Sequence, residues 1–173
     1  MSIQTPLQET IEKFRQVSLF QAFRDQTEAL SQIARLFTTI RSEAGSAVIT
    51  EGETGDVMYI IKSGIVEIIK KTKPGDPYTV AELSSDKNMF FGEMALIDQD
   101  RRSASVLCKT ACEFYVLTRE HFLELGNSHP AIGLALTREL AKIVCNRLRK
   151  ANSDVITLFD ALVGEVVESG GLE

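Results

Sequence analysis

The sequence predicts an α+β domain in which an antiparallel β-roll lies between helices segregated to the two ends of the chain. Two observations carry this prediction. Apolar residues recur at helical spacing in the first and last parts of the chain. Between Val48 and Thr118 the pattern changes to seven short β-rich runs, "SAVIT", "VMYIIK", "IVEIIKK", "YTVAEL", "MFF", "ASVLC" and "EFYVLT". Many short strands separated by turn residues point to an antiparallel sandwich or barrel.

The elements follow in order. Thr5-Pro6-Leu7-Gln8 reads as a capping box with proline at the first helical position, and Leu7, Ile11 and Phe14 share one face. Asp25 with Glu28 opens a second helix whose apolar face is Leu30, Ile33, Phe37 and Ile40. Residues 1–44 are therefore assigned to N-terminal helices and 45–118 to the roll. Its turns fall at Glu51-Gly52-Glu53-Thr54-Gly55-Asp56, Ser63-Gly64, Lys73-Pro74-Gly75-Asp76-Pro77 and 97–103. Lys70-Lys71-Thr72-Lys73 runs into the third of these and reads as a solvated hairpin tip. Residues 119–168 return to helix, and 169–173 form a tail predicted to be disordered.

Composition bounds the function. A chain of 173 residues holds one domain with a substantial core. Its net charge of −5 is a poor footprint for binding a phosphate backbone, so DNA is not an expected partner. No stretch approaches the roughly 20 apolar residues of a membrane helix, and the N-terminus lacks the basic and apolar segments of a secretion signal. The chain reads as cytoplasmic, with no membrane partner. Cys108, Cys112 and Cys145 show no CxxC spacing and read as reduced, packed thiols. With His121 and His129 as the only histidines, no metal-ligand cluster is expected. Nucleophile and P-loop signatures are lacking as well, so the chain is read as a non-enzyme without a cofactor.

The stretch "FFGEMALIDQDRRSASV", residues 90–106, is the chemically unusual one. Gly92 permits a tight turn before Glu93, an acid set in an apolar run. Arg102 brings fork-shaped donors suited to phosphate, and Ser103 and Ala104 are small enough for their backbone N–H groups to approach a ligand. A turn of helix from Glu93 to Ile97 would add further N–H groups. Two readings follow from the residues alone: a site for a phosphorylated sugar, or an internal ion pair closing a loop.

The wording of the stretch decides between them. Phe91-Gly92-Glu93-Met94-Ala95-Leu96 and Arg102-Ser103-Ala104-Ser105-Val106 resemble the phosphate-binding cassette of cyclic-nucleotide-binding domains, as in the regulatory subunits of cyclic-AMP-dependent protein kinase and the catabolite activator protein. Upstream, "VITEGETGDVMYIIKSG" (48–64) places Gly52, Gly55 and Gly64 where that family turns its roll. The resemblance spans about Leu19 to Asn152. It implies a jelly-roll type of double-stranded β-helix, with Glu93 taking the ribose 2′-hydroxyl and Arg102 the exocyclic phosphate oxygens. Amides of Ser103 and Ala104, with those near Gly92 and Ala95, would complete the cradle beside Phe91 and Met94. Arg101 stands where many members carry proline and is expected to face solvent. Cyclic AMP is the expected ligand; the alternatives are cyclic GMP, since the Ser103 hydroxyl suits a guanine amino group, and an interaction module that keeps this fold without a ligand, against which the intact Glu93 and Arg102 speak. Asn152 is expected to meet the base.

The last helical segment carries Val155, Leu158, Leu162 and Val166 at helical spacing beyond the reach of the roll. This implies a homodimer through the C-terminal helix, or a fold-back after a break at Asn152-Ser153-Asp154. The expected role is a sensor in which ligand binding moves the C-terminal helices and an effector protein reads the change. Catabolite-activator relatives continue into a DNA-reading module, for which the stretch after Phe159 is too short.

Overall fold

The long apolar runs of the middle third are strands that bury both faces. In the computed structural model, which describes residues 7–169 and side chains as far as Gly164, eight strands form two four-stranded antiparallel sheets. They are β1 (Thr38–Ser42), β2 (Ala47–Ile49), β3 (Val57–Ser63), β4 (Ile65–Lys71), β5 (Pro77–Ser84), β6 (Phe90–Phe91), β7 (Ser105–Cys108) and β8 (Cys112–Thr118). One sheet runs β1-β8-β3-β6 and the other β2-β7-β4-β5. Between the sheets lie Tyr59, Ile61, Phe91, Phe114 and Val116, whereas Met58, Ile60, Tyr115 and Leu117 face the helices. Strands β3 and β8 pair in register Ile60↔Tyr115, so the two-residue period sends alternate side chains into two different cores. A run such as "VMYII" has no polar face to show because it has no wet face.

The helices are α1 (Leu7–Gln16), α2 (Thr27–Ala34), α3 (Arg119–Ser128) and α4 (Pro130–Ser169), with a 3-10 helix at Ser18–Phe23. Ile11, Phe14, Leu30 and Ile33 dock on the outer face of the first sheet, joined by Phe122, Leu125, Leu136 and Leu140 from the C-terminal side. Phe14 stacks on Phe20 with ring centroids 4.6 Å apart and meets Tyr115 edge-on at 5.4 Å. Thr118 caps α3, its hydroxyl accepting from the His121 amide at 3.1 Å.

Four expectations are corrected. The second helix ends at Ala34, and Thr38–Ser42 is strand β1, so the roll begins at 38 instead of 45. Phe37 still reaches the helical core and Ile40 the space between the sheets, which explains why both look like members of a helical stripe. At its start, α2 opens at Thr27 with Gln26 as its cap residue and no side-chain cap bond, so Asp25 does not serve as cap. The break at Asn152–Asp154 does not occur: α4 is continuous over 40 residues, and the Thr157 hydroxyl donates back to the Ser153 carbonyl at 3.0 Å. Finally, Cys108 and Cys112 are buried but Cys145 is exposed. The Thr5-Pro6 cap and tail residues 170–173 lie outside the described residues, as does the side chain of Val166.

Candidate functional site

The two glycine-bearing motifs, about 40 residues apart in the chain by the count between Gly52 and Gly92, meet at one end of the roll. Backbone bonds stitch them: the Arg102 amide donates to Glu53 O at 2.8 Å, and the Gly52 amide to Arg102 O at 2.9 Å. The Glu51 amide donates to the Ser105 hydroxyl at 2.9 Å. Gly92 adopts φ 75°, and a Cβ there would lie 3.0 Å from Arg102 Nη1 and 3.1 Å from the Val57 carbonyl. Gly55 clears space in a different way, because a Cβ would fall 2.3 Å from Arg102 Nε. The guanidinium therefore lies flat against two glycine backbones.

Arg102 is half-buried and aimed by carbonyls. Nη2 donates to Val57 O at 2.8 Å and Nη1 to Gly92 O at 3.3 Å. These oxygens orient the fork but leave its charge uncancelled, which is the arrangement that welcomes an anion. Arg101 is exposed at the rim of the cleft: its amide donates to the Asp100 carboxylate at 2.7 Å and its Nη1 lies 3.5 Å from the Gly52 carbonyl. Ser103 and Ala104 follow at the lip of the cleft, before the ladder resumes with Ser105 opposite Ile69.

Glu93 opens a short 3-10 turn, Glu93–Leu96, and is 3% exposed. It is the one charged residue in the buried class among the described residues. An isolated carboxylate so placed would be costly, and the partner comes from α4, where Arg147 Nη1 donates to Glu93 Oε1. The Arg147 guanidinium also stands 5.5 Å from the centre of the Phe90 ring.

These groups line a cleft of about 550 Å³. Phe91, Gly92, Glu93, Met94, Ala95, Arg102, Ser103 and Ala104 all border it, so eight of the nine residues singled out from sequence are brought together. Asn152 is the exception. It is exposed on α4 outside the cleft, and the contributions from that helix are Arg147 and Lys150. Five residues beyond Arg147, Asn152 is turned about 140° around the helix axis, which carries it away from the opening. Sequence reading also missed the apolar wall of Ile49, Ile68, Ala81, Leu83 and Met89. Strand alternation in β4 and β5 was the available signal for Ile68, Ala81 and Leu83. Among the described residues no cluster of His, Cys, Asp and Glu suits a metal ion, and no helix is long and apolar enough to cross a membrane.

Known proteins share this architecture. A family model described as "Cyclic nucleotide-binding domain" matches residues 39–129, just over half of the chain. The cAMP-dependent protein kinase regulatory subunit of Aspergillus fumigatus is 34% identical over 120 residues, covering 65% of this chain and 28% of that protein. Glutaminase 2 of Bradyrhizobium diazoefficiens is 33% identical over 129 residues, 75% of this chain and 20% of the enzyme. The chain thus spans about a quarter of the length of these relatives. Among solved structures, the Thermus thermophilus catabolite activator protein superposes with a TM-score of 0.72 at 28% identity, covering 82% of this chain and 62% of that one. The matched segment contains the whole cleft floor built above, from Gly52 to Ala104, and the chain belongs to the cyclic nucleotide-binding domain family.

Proposed function

We propose that the chain is a cyclic-AMP sensor that binds its ligand in the cleft and passes the event to α4. The observation that carries this reading is the uncancelled, carbonyl-aimed guanidinium of Arg102 beside the buried carboxylate of Glu93. A cyclic phosphate fits the first and a ribose 2′-hydroxyl the second, while the amides of Ser103 and Ala104 border the phosphate position. The purine then meets the apolar wall of Ile68, Ala81 and Leu83, with α4 across the opening. Cyclic AMP is favoured because the kinase regulatory subunit that the chain resembles carries that ligand in its name. The role is binding and not catalysis. The likeness to a glutaminase covers a fifth of that enzyme and supports no transfer of its activity.

The dimer belongs to the same proposal. Val155, Leu158 and Leu162 are 64%, 65% and 61% exposed along α4. With Val144, Leu148 and Ala151 they alternate spacings of three and four residues, the repeat of a two-helix coiled coil. A second copy of the same stripe buries these side chains about a two-fold axis. Effector recognition would follow from the geometry of that pair.

Calorimetric titration with cyclic AMP and cyclic GMP tests the ligand assignment. Saturable binding with cyclic AMP the tighter of the two is expected. Tighter binding of cyclic GMP, lost in Ser103→Ala, would transfer the assignment to the guanine nucleotide.

A further inference from the structure

In the dimer proposed above, on which this inference rests, the two α4 helices can run the same way or opposite ways. The apolar seam allows both. Val144, Leu148, Ala151, Val155, Leu158 and Leu162 follow steps of four, three, four, three and four, a series that reads the same from either end. Reflected about Ser153 in a second copy, Val144 comes level with Leu162, Leu148 with Leu158 and Ala151 with Val155. An antiparallel pair therefore closes with none of the six left over.

Charge separates the two directions. Before Ser153, α4 carries Arg138, Lys142, Arg147, Arg149 and Lys150 against the single acid Glu139. After Ser153 it carries Asp154, Asp160, Glu165 and Glu168 and no base. Two of the cations are met inside the chain, Lys142 by Glu139 at 2.6 Å and Arg147 by Glu93. Arg138, Arg149 and Lys150 form no ion pair among the described residues, and neither do Asp154 and Asp160. The order also opposes the helix dipole, which favours acids near the N-terminal end and cations near the C-terminal end. The first turn of α4 holds no acid and its last turn no base. A neighbour running the other way offsets both defects.

A parallel pair sets each band of charge beside its own kind. Reflection about Ser153 instead brings Arg138 level with Glu168 of the second copy. Asp154 and Asp160 of that copy come level with Asn152 and Asn146, which bracket Arg149 and Lys150. Thr137, Arg138 and Ala141 are exposed, so the stretch that receives the last turns of the second copy is open.

We infer that α4 pairs antiparallel with a second copy of this chain about a two-fold axis at the level of Ser153, the basic half of each helix lying against the acidic half of the other. The two rolls then stand at opposite ends of the helix pair. The acidic end of each copy lies along the stretch of the other that leads to Arg147 and Lys150 at the cleft.

Disulfide capture reads the direction. Leu148→Cys and Leu158→Cys are made separately in the full chain carrying Cys145→Ser, where the buried Cys108 and Cys112 are the native thiols that remain. Under mild oxidation each variant alone should stay uncrosslinked. Its two thiols lie about 15 Å apart along an antiparallel pair, beyond the roughly 7 Å between Cα atoms that a disulfide spans. An equal mixture of the two variants should give cross-linked dimer. Raising sodium chloride from about 20 to about 300 mM should weaken the wild-type dimer about 3- to 30-fold, because opposite charges are screened. Self-cross-linking of either variant, a mixture that stays uncrosslinked while wild type is dimeric, or a dimer tightened by the same salt would each overturn the antiparallel pair and leave the dimer standing. A wild-type chain that is monomeric by light scattering would overturn the dimer itself and the helix direction with it.

Discussion

Strand β8 and the outer half of α4 are both rich in large apolar residues, yet they sit at opposite extremes of burial. Phe114, Tyr115 and Leu117 are 0%, 1% and 0% exposed, whereas Leu158, Phe159 and Leu162 are 65%, 64% and 61% exposed. The roll spends its hydrophobic residues on its own two cores and needs no second molecule. The helix carries the same kind of surface about 60 Å along its full length and leaves the far half uncovered, since a 40-residue helix outruns the domain beneath it. Apolar composition alone does not say where a residue is buried; reach does.

Truncation gives the sharpest contrast. Phe114→Ala removes a fully buried ring that meets Tyr59 at 5.8 Å and Phe91 at 5.8 Å, and should cost about 3–5 kcal/mol of folding stability. Leu158→Ala should change the stability of the monomer by no more than about 0.5 kcal/mol, measured by denaturant titration at concentrations that keep chains apart. Similar costs for the two substitutions would mean that α4 is covered within its own chain.

Association is the next discriminator. Each aliphatic side chain of the stripe contributes about 1.5–3 kcal/mol when removed from water. The pair Leu158→Asp/Leu162→Asp should therefore convert a dimer to a monomer by light scattering while nucleotide binding persists. A monomeric parent would remove the dimer from the account, and a dimer unaffected by the change would move the interface to another surface.

A smaller effect concerns the buried thiols of the roll. Burial, reinforced by the neighbouring Cys112, pushes the Cys108 thiol up to about 11 from an ordinary 9.0. A group raised in the folded state holds its proton more tightly than in the unfolded chain, so its contribution is complete below pH 9 and is lost as pH climbs toward 11. Burial shifts Tyr59 and Tyr115 upward in the same sense. Folding stability should consequently fall by about 1–3 kcal/mol across that window, while at pH 8 a thiol reagent modifies Cys145 alone in the native protein. Rapid native-state modification of Cys108 would contradict the packing described for β7.

What could be read from sequence follows the same division. Strands β2 to β8 were legible because short runs of β-branched and aromatic residues are bracketed by turn residues. Strand β1 was not, because Phe37 and Ile40 fall at three- and four-residue steps from Ile33 and so prolong the stripe of α2. The cleft was legible wherever one continuous stretch supplies it, from Phe91 to Ala104. It was illegible where distant segments converge: the Glu93–Arg147 pair exists only once Leu136 and Leu140 have docked α4, and nothing local to Arg147 distinguishes it from Arg149. Asn152 was misplaced for the same reason, since a few residues along a helix decide which way a side chain turns.

The central claim is that Arg102 supplies the charge that holds a cyclic phosphate, and one calorimetric comparison tests it. Wild type should bind cyclic AMP, and Arg102→Leu should lose about 2–5 kcal/mol, roughly 30-fold to several thousand-fold in affinity, while the chain still folds and unfolds cooperatively. Arg101→Leu, which alters the exposed neighbour, should bind as wild type does. Undiminished binding by Arg102→Leu, or a loss confined to Arg101→Leu, would contradict the account.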